Sequence, residues 1–198
     1  MKALLIKDLF LLKRQLQFIV MMIIISCCMI FLGNFDPTFA VSYLGFMGSM
    51  LVLNVLSYDE YNNGLAFLMV LPYSRKEYVK EKYILSLLST IGCGLIGVII
   101  AFIKQPVDIL SCVTLILMAS LIGIFEIPIQ IKFGIEKSCI ALVVSMACVV
   151  LAIVAIVSIL PETFLTSAKL PIILLGVVMI VVIGSYQLSI RFMENKEF

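Results

Sequence analysis

The chain has 198 residues, of which 63% are hydrophobic and 13% charged, with a mean hydropathy of +1.23, no His and no Trp. A soluble domain is roughly 45–50% apolar with roughly 25% charge, so one water-exposed core cannot hide this excess and the chain reads as a polytopic membrane protein. Six spans of about 20 residues would use about 120 positions, which leaves too little for an ATPase, kinase or dehydrogenase domain. Without His, Ser-His or Cys-His catalysis and His-based metalloprotease motifs cannot be built. The six cysteines (Cys27, Cys28, Cys93, Cys112, Cys139 and Cys148) all lie in apolar stretches without zinc-ligand spacing, and read as small buried hydrophobes. The net charge of +2 is no argument for a nucleic-acid partner.

Taken in chain order, residues 1–15 mix basic and bulky apolar side chains. Lys2, Lys7, Lys13 and Arg14 fall on one arc of a helical wheel with Leu4, Leu5, Leu9, Leu11 and Leu12 roughly opposite, while Ile6, Asp8 and Phe10 break the pattern. The expectation is an interfacial helix along the inner leaflet, serving as a topology anchor or as an elbow that clamps the bundle or touches a partner. Six spans are expected at 16–32, 38–57, 84–103, 109–125, 138–160 and 171–190. Ile24-Ile25-Ser26-Cys27 looks like a lipoprotein cleavage box, but the apolar run continues past it, and the segment reads as a signal anchor.

Charge orients the bundle. Lys2, Lys7, Lys13, Arg14, Arg75, Lys76, Lys80, Lys82, Lys132, Lys137, Arg191 and Lys196 would share one side, against Lys104 and Lys169 on the other. By the positive-inside bias both termini are expected in the cytoplasm.

The 58–83 loop is the longest extramembrane segment. Tyr58-Asp59-Glu60-Tyr61-Asn62-Asn63-Gly64 ends the second span in a turn. Leu65-Ala66-Phe67-Leu68-Met69-Val70-Leu71, closed by Pro72, would form a helix of about 10 Å, too short to span and too apolar for water. It buries against a partner, the interface or its own bundle. Ser74-Arg75-Lys76-Glu77 is a capping box that starts a helix running into the third span, a lever between the loop and the membrane.

Gly92-Cys93-Gly94-Leu95-Ile96-Gly97 matches a dinucleotide-binding fingerprint by letter, but no strand precedes it. Gly92, Gly94 and Gly97, with Gly45 and Gly48, read instead as positions of close helix packing. Glu126, at the expected inner end of the fourth span, is a candidate gate or substrate contact, or a structural carboxylate within reach of Lys132.

Leu71-Pro72-Tyr73-Ser74-Arg75-Lys76-Glu77-Tyr78-Val79, followed by Lys82-Tyr83, resembles the loop signature of small ABC-2-type permeases, the membrane subunits of ATP-driven exporters. Lys2-Ala3-Leu4-Leu5-Ile6-Lys7-Asp8-Leu9 is similar to their N-termini, and Ser189-Ile190-Arg191 with Lys196-Glu197-Phe198 to their tails. Within that group the chain looks most like the permease of bacterial exporters for phenol-soluble modulins and related amphipathic peptides.

The resemblance implies an all-α fold: one transmembrane domain over 1–198, with six helices, an interfacial elbow and a coupling helix between the second and third. It implies a second permease chain, the same or paralogous, and separate ABC ATPase subunits that bind ATP and Mg, with no cofactor in this chain. The loop helix, here 63–71, would fit a groove on the ATPase. The residues assigned to that coupling are Asp59, Glu60, Asn62, Asn63, Leu65, Phe67, Leu68, Leu71, Pro72 and Arg75. The cargo would be hydrophobic or amphipathic, moved across a bacterial plasma membrane. The alternative is an ATP-independent channel or secondary transporter; an intramembrane enzyme is disfavoured by the missing His and the lack of paired membrane-depth carboxylates.

Overall fold

The computed structural model describes residues 2–33, 35–61, 64, 65, 68, 74–159 and 170–194, and all regular structure among them is helical. The elements are α1 (Lys2–Arg14), α2 (Leu16–Phe31), α3 (Thr38–Glu60), α4 (Arg75–Lys104), α5 (Ile109–Ile159) and α6 (Leu170–Glu194). Four stretches are long and apolar enough to cross a membrane: Thr38–Glu60, Arg75–Lys104, Ile109–Gly134 and Leu175–Glu194. A fifth arises if α1 and α2, bent by 58°, act as one span. With 16 residues, α2 reaches about 24 Å, short of a hydrocarbon core of about 30 Å. Each of the six expected spans therefore falls on a helix, but four of them, not six, qualify as spans among the described residues. The second limb of α5 carries the expected 138–160 span as far as Ile159.

The limbs of α5 meet at Gly134, whose φ of 74° lies in the left-handed region that only glycine adopts without strain. The first limb runs well past the boundary expected at residue 125. Glu126, Pro128 and Gln130 look like the end of a span by composition, but the structure buries Glu126 and Gln130 against neighbouring helices. The Gln130 amide donates to the Leu53 carbonyl at 3.1 Å and to Ser57 Oγ at 2.8 Å. Polar side chains at this depth are retained because other helices satisfy them.

The central helix is α3, packed between α4 and α5. Its buried face comprises Ala40, Val41, Leu44, Gly45, Gly48, Ser49, Leu51, Val52, Val55, Leu56 and Asp59. Close approach is set by small residues. A Cβ on Gly97 would stand 2.7 Å from the Ala40 carbonyl oxygen, and one on Gly48 would stand 2.8 Å from Cys93 Cβ and from the Ser89 carbonyl oxygen. Gly94 receives Ile116, and Gly45 faces Ala119. Gly92 differs from the expectation: nothing lies within 4 Å of its would-be Cβ, so it packs no helix of this chain. The dinucleotide-like spacing thus lies on a helix where Gly94 and Gly97 meet neighbours and Gly92, about 200° around from Gly94, does not.

At the opposite end, Lys104 Nζ donates to the carbonyls of Ile30 (2.6 Å) and Phe35 (3.2 Å). It satisfies carbonyls left without amide partners where α2 ends.

Candidate functional site

The most chemically distinctive place is at the charged end of the bundle, where α1, the last turn of α3 and the first turns of α4 meet. Its assembly begins with local sequence. Ser74 Oγ accepts from the Glu77 amide, and the Glu77 carboxylate accepts from the Ser74 amide, both at 3.2 Å. This capping box forms as its letters predict and sets the register of α4. In that register Tyr78, Glu81 and Lys82 stand three and four residues apart on one face, turned to α1 and α3.

Lys82 is the hub, at 0% exposure. Its ammonium donates to Asp8 Oδ2 and lies 2.7 Å from Asp59 Oδ2 and 3.5 Å from Glu81 Oε2. Lys7 donates to Asp59 Oδ1 and stands 3.2 Å from Asp8 Oδ1. The Tyr78 hydroxyl donates to Asp59 Oδ2 at 3.0 Å, and its ring centroid lies 5.0 Å from the Lys82 ammonium. Asp8 and Glu81 are fully buried and Asp59 nearly so. The apolar stretch of α4 begins at residue 84, so Glu81 belongs to its charged extension. There, burial pushes the Glu81 carboxyl up to about 8, with Lys82 pulling down and Asp8 adding to the rise. Burial also opposes ionisation of Asp8, but Lys82, Glu81 and Lys7 outweigh it and hold that carboxyl below the usual range. Among the described residues no group of three or more metal-ligating side chains is arranged around an ion. The Lys82 ammonium fills the space between the carboxyls instead.

The other side of the same helix is tied to α5 and α6. Tyr83 Oη lies 2.5 Å from Ser185 Oγ and 2.8 Å from Ser189 Oγ, and Ser185 Oγ donates to the Ile124 carbonyl at 2.9 Å. Arg75 donates to the carbonyls of Met193 (2.8 Å) and Glu194 (2.7 Å), closing the C-terminal turn of α6. The first turns of α4 are thus clamped to α1 and α3 by ions and to α6 by hydroxyls and carbonyl contacts, with Ser185 of α6 in turn bonded to α5.

The residues expected to couple to a partner are distributed unevenly. Asp59 is turned inward as part of the ion cluster. Arg75 holds α6. Glu60 lies beside the Gly134 kink, its Oε2 3.7 Å from where a Cβ on that glycine would be. Leu65 is buried in the chain's own core with Leu56, Tyr78, Val79, Ile124 and Met193, and Leu68 packs against that cluster. Of the three environments foreseen for the apolar segment, a partner, the interface or its own bundle, its described leucines pack against the chain's own bundle. Gly64 makes the return possible: a Cβ on it would be 2.7 Å from the Asp59 carbonyl oxygen. Asn62, Asn63, Phe67, Leu71 and Pro72 lie outside the described residues.

Two open grooves border this junction. One of about 510 Å³ is lined by Ile6, Lys7, Phe10, Leu11, Tyr58, Asp59, Gly64 and Leu68. The other, of about 460 Å³, is lined by Gln15, Phe18, Asn54, Ser57, Tyr58 and Tyr61.

Glu126 is 1% exposed, deeper than its expected place at a span end, and lies six residues before Lys132 on the same helix. Six residues along a helix is about 240° of rotation, so the two point to different sides. The Lys132 ammonium lies over the rings of Phe133 (5.0 Å) and Phe192 (4.8 Å).

The ion cluster is not foreseen in the sequence, where Asp8 breaks an amphipathic pattern and the residues after Ser74 read as the start of a helix that acts as a lever into the third span. A signal existed: Asp8 is the only acidic residue before residue 36, and Tyr78, Glu81 and Lys82 share a face once the capping box sets the register.

A family model described as ABC-2 family transporter protein matches residues 3–194 of the chain. Searches of curated proteins and of solved structures return no match.

Proposed function

The chain belongs to the ABC-2 family of transporter proteins, and from that premise we propose that it is the permease subunit of an exporter whose ATP is hydrolysed by a separate subunit docked at the 58–83 segment. The family supports an ABC transporter permease role. The observation that carries the finer reading is the double clamp on α4: one 30-residue helix is anchored by ions to α1 and α3 and by hydroxyls to α6 where the 58–83 segment ends. A push on that segment would move the whole charged end as one piece rather than bend a loop. The exposed rings of Tyr58 and Tyr61 and the mouth of the Leu68 groove offer the contact surface, on the side the basic residues assign to the cytoplasm. A second permease chain completes the transporter. The cargo is hydrophobic or amphipathic, an amphipathic peptide if the chain's likeness to the permeases of peptide exporters extends to what it carries.

The test is site-specific photocrosslinking in native membranes. A photoreactive side chain at Tyr61 or Leu68 is expected to capture an ATPase bearing a Walker loop, and the same probe at Ile109, at the other end of the bundle, is not. Capture of lipid alone from both loop positions would end the docking assignment.

A further inference from the structure

The ion cluster has an uneven charge count. Facing the Glu81 carboxyl are Lys7 and Asp8 from α1, Asp59 from α3, and Tyr78 and Lys82 from α4 itself. Glu77, one turn earlier, is turned to the Ser74 cap, and Lys132 of α5 lies over aromatic rings elsewhere. Three carboxyls therefore share two ammoniums; Asp8, Glu81 and Lys82 are closed to water, while Lys7 is 32% exposed and Asp59 lines the open groove.

The donors are also spoken for. Asp59 receives Lys7 on one oxygen and Tyr78 and Lys82 on the other. Asp8 Oδ2 receives Lys82. Both Glu81 oxygens are buried with no hydrogen-bond donor, Lys82 standing 3.5 Å away, and Asp8 Oδ1 is likewise buried without a hydrogen bond. A buried carboxylate with no donor is costly, and a lone surplus charge more so. One proton removes both problems. The Glu81 carboxyl is within hydrogen-bonding reach of Asp8, so a protonated Glu81 becomes the donor that Asp8 Oδ1 lacks, and the cluster becomes neutral.

We propose that the junction of α1, α3 and α4 is a binding site for one proton, held on Glu81 and shared with Asp8, and that the closed clamp requires it. Parting α1 from α4 would expose Glu81 to water and release the proton, so closure of the clamp and proton uptake are one equilibrium. The inference goes beyond the transport reading and holds whether or not an ATPase docks on the loop.

The purified full chain in detergent or nanodiscs tests it by infrared spectroscopy. At pH about 7, exposed carboxyls are ionised, and the C=O stretch of a protonated carboxylic acid is expected in the wild type. That band should persist in Glu126→Gln, disappear in Glu81→Gln, and fade in the wild type as pH rises through about 8. Thermal unfolding gives a second readout. A carboxyl raised in the folded state stabilises below its unfolded value near 4.5 and loses that contribution as pH rises through its folded value. The wild-type melting temperature should drop by several degrees between pH about 5 and about 9, and Glu81→Gln, which mimics the protonated form, should show less than half that drop. Absence of a protonated-acid band in the wild type overturns the proposal even if Glu81→Gln cannot be purified. So does a band that vanishes in Glu126→Gln and survives in Glu81→Gln.

Discussion

Lys82 separates the two halves of a buried ion cluster, and its removal has a definite sign. Lys82→Met keeps the length of the side chain and leaves Asp8, Asp59 and Glu81 with Lys7, itself 32% exposed, as the one cation of the cluster. Removing one partner of a buried ionic network costs about 3–5 kcal/mol, so this variant should unfold far below the wild type in a detergent melting assay. A melting curve unchanged from wild type would mean that water reaches the cluster. Tyr78→Phe is a milder probe. Asp59 keeps its two lysines, so only one hydrogen bond to a charged acceptor is lost, and the expected destabilisation is about 1.5 kcal/mol. The local capping box could be read from four letters because its partners are three residues apart. The Lys82–Asp8 contact joins residues 74 positions apart, and no local pattern announces it.

At the scale of elements, α4 acts as a strut. Its 30 residues give about 45 Å, more than a hydrocarbon core of about 30 Å requires; the excess is the charged extension that carries the clamp. Strut and central helix are held together through glycine notches. In Gly97→Val the new side chain would run into the backbone of Ala40 and Val41, which cannot yield as a flexible side chain would. Overpacking of this kind costs about 1–3 kcal/mol, and a clear fall in melting temperature is expected. Gly92→Val, one turn and a half earlier on the same helix, meets open space and should melt like the wild type. Equal losses in both would show that the effect is helix propensity and not the α3–α4 contact. The composition of span three allowed close packing at all three glycines. Only the rotation of α4 against α3 decided that Gly92 is turned away.

For the whole molecule, twelve basic residues are expected on one side against two on the other, and the positive-inside bias predicts both termini in the cytoplasm. Reporter fusions at each end, assayed on both sides of the membrane, are expected to report inside for both; an external C-terminus would require a different number of crossings. The energy source is the second property at this scale. Glu126 is a carboxylate buried within a span, the kind of group a proton-coupled carrier uses. On the proposed reading the double clamp on α4 puts the driven element outside the apolar core. Glu126→Gln is therefore expected to reduce cargo efflux modestly and to leave it insensitive to an uncoupler at clamped ATP. Uncoupler-sensitive efflux abolished by this substitution would assign the chain to secondary transport.

The sequence by itself determined the membrane setting, the helical class, the helix on which each expected span lies, the capping box and the likeness to ABC-2 permeases. These are properties of composition, of apolar runs about 20 residues long and of contacts between near neighbours, so they survive in a one-dimensional string. Tertiary structure alone decided that Asp8 is a partner and not a flaw, that Asp59 and Leu65 face the chain's own interior, that Glu126 lies inside a helix continuing to Gly134, and that Lys132 rests on aromatic rings. Each depends on how two or three helices are rotated and staggered against one another. Burial and charge pairing between distant segments follow from that arrangement, since a charge can leave water only where another helix brings its counter-charge to meet it.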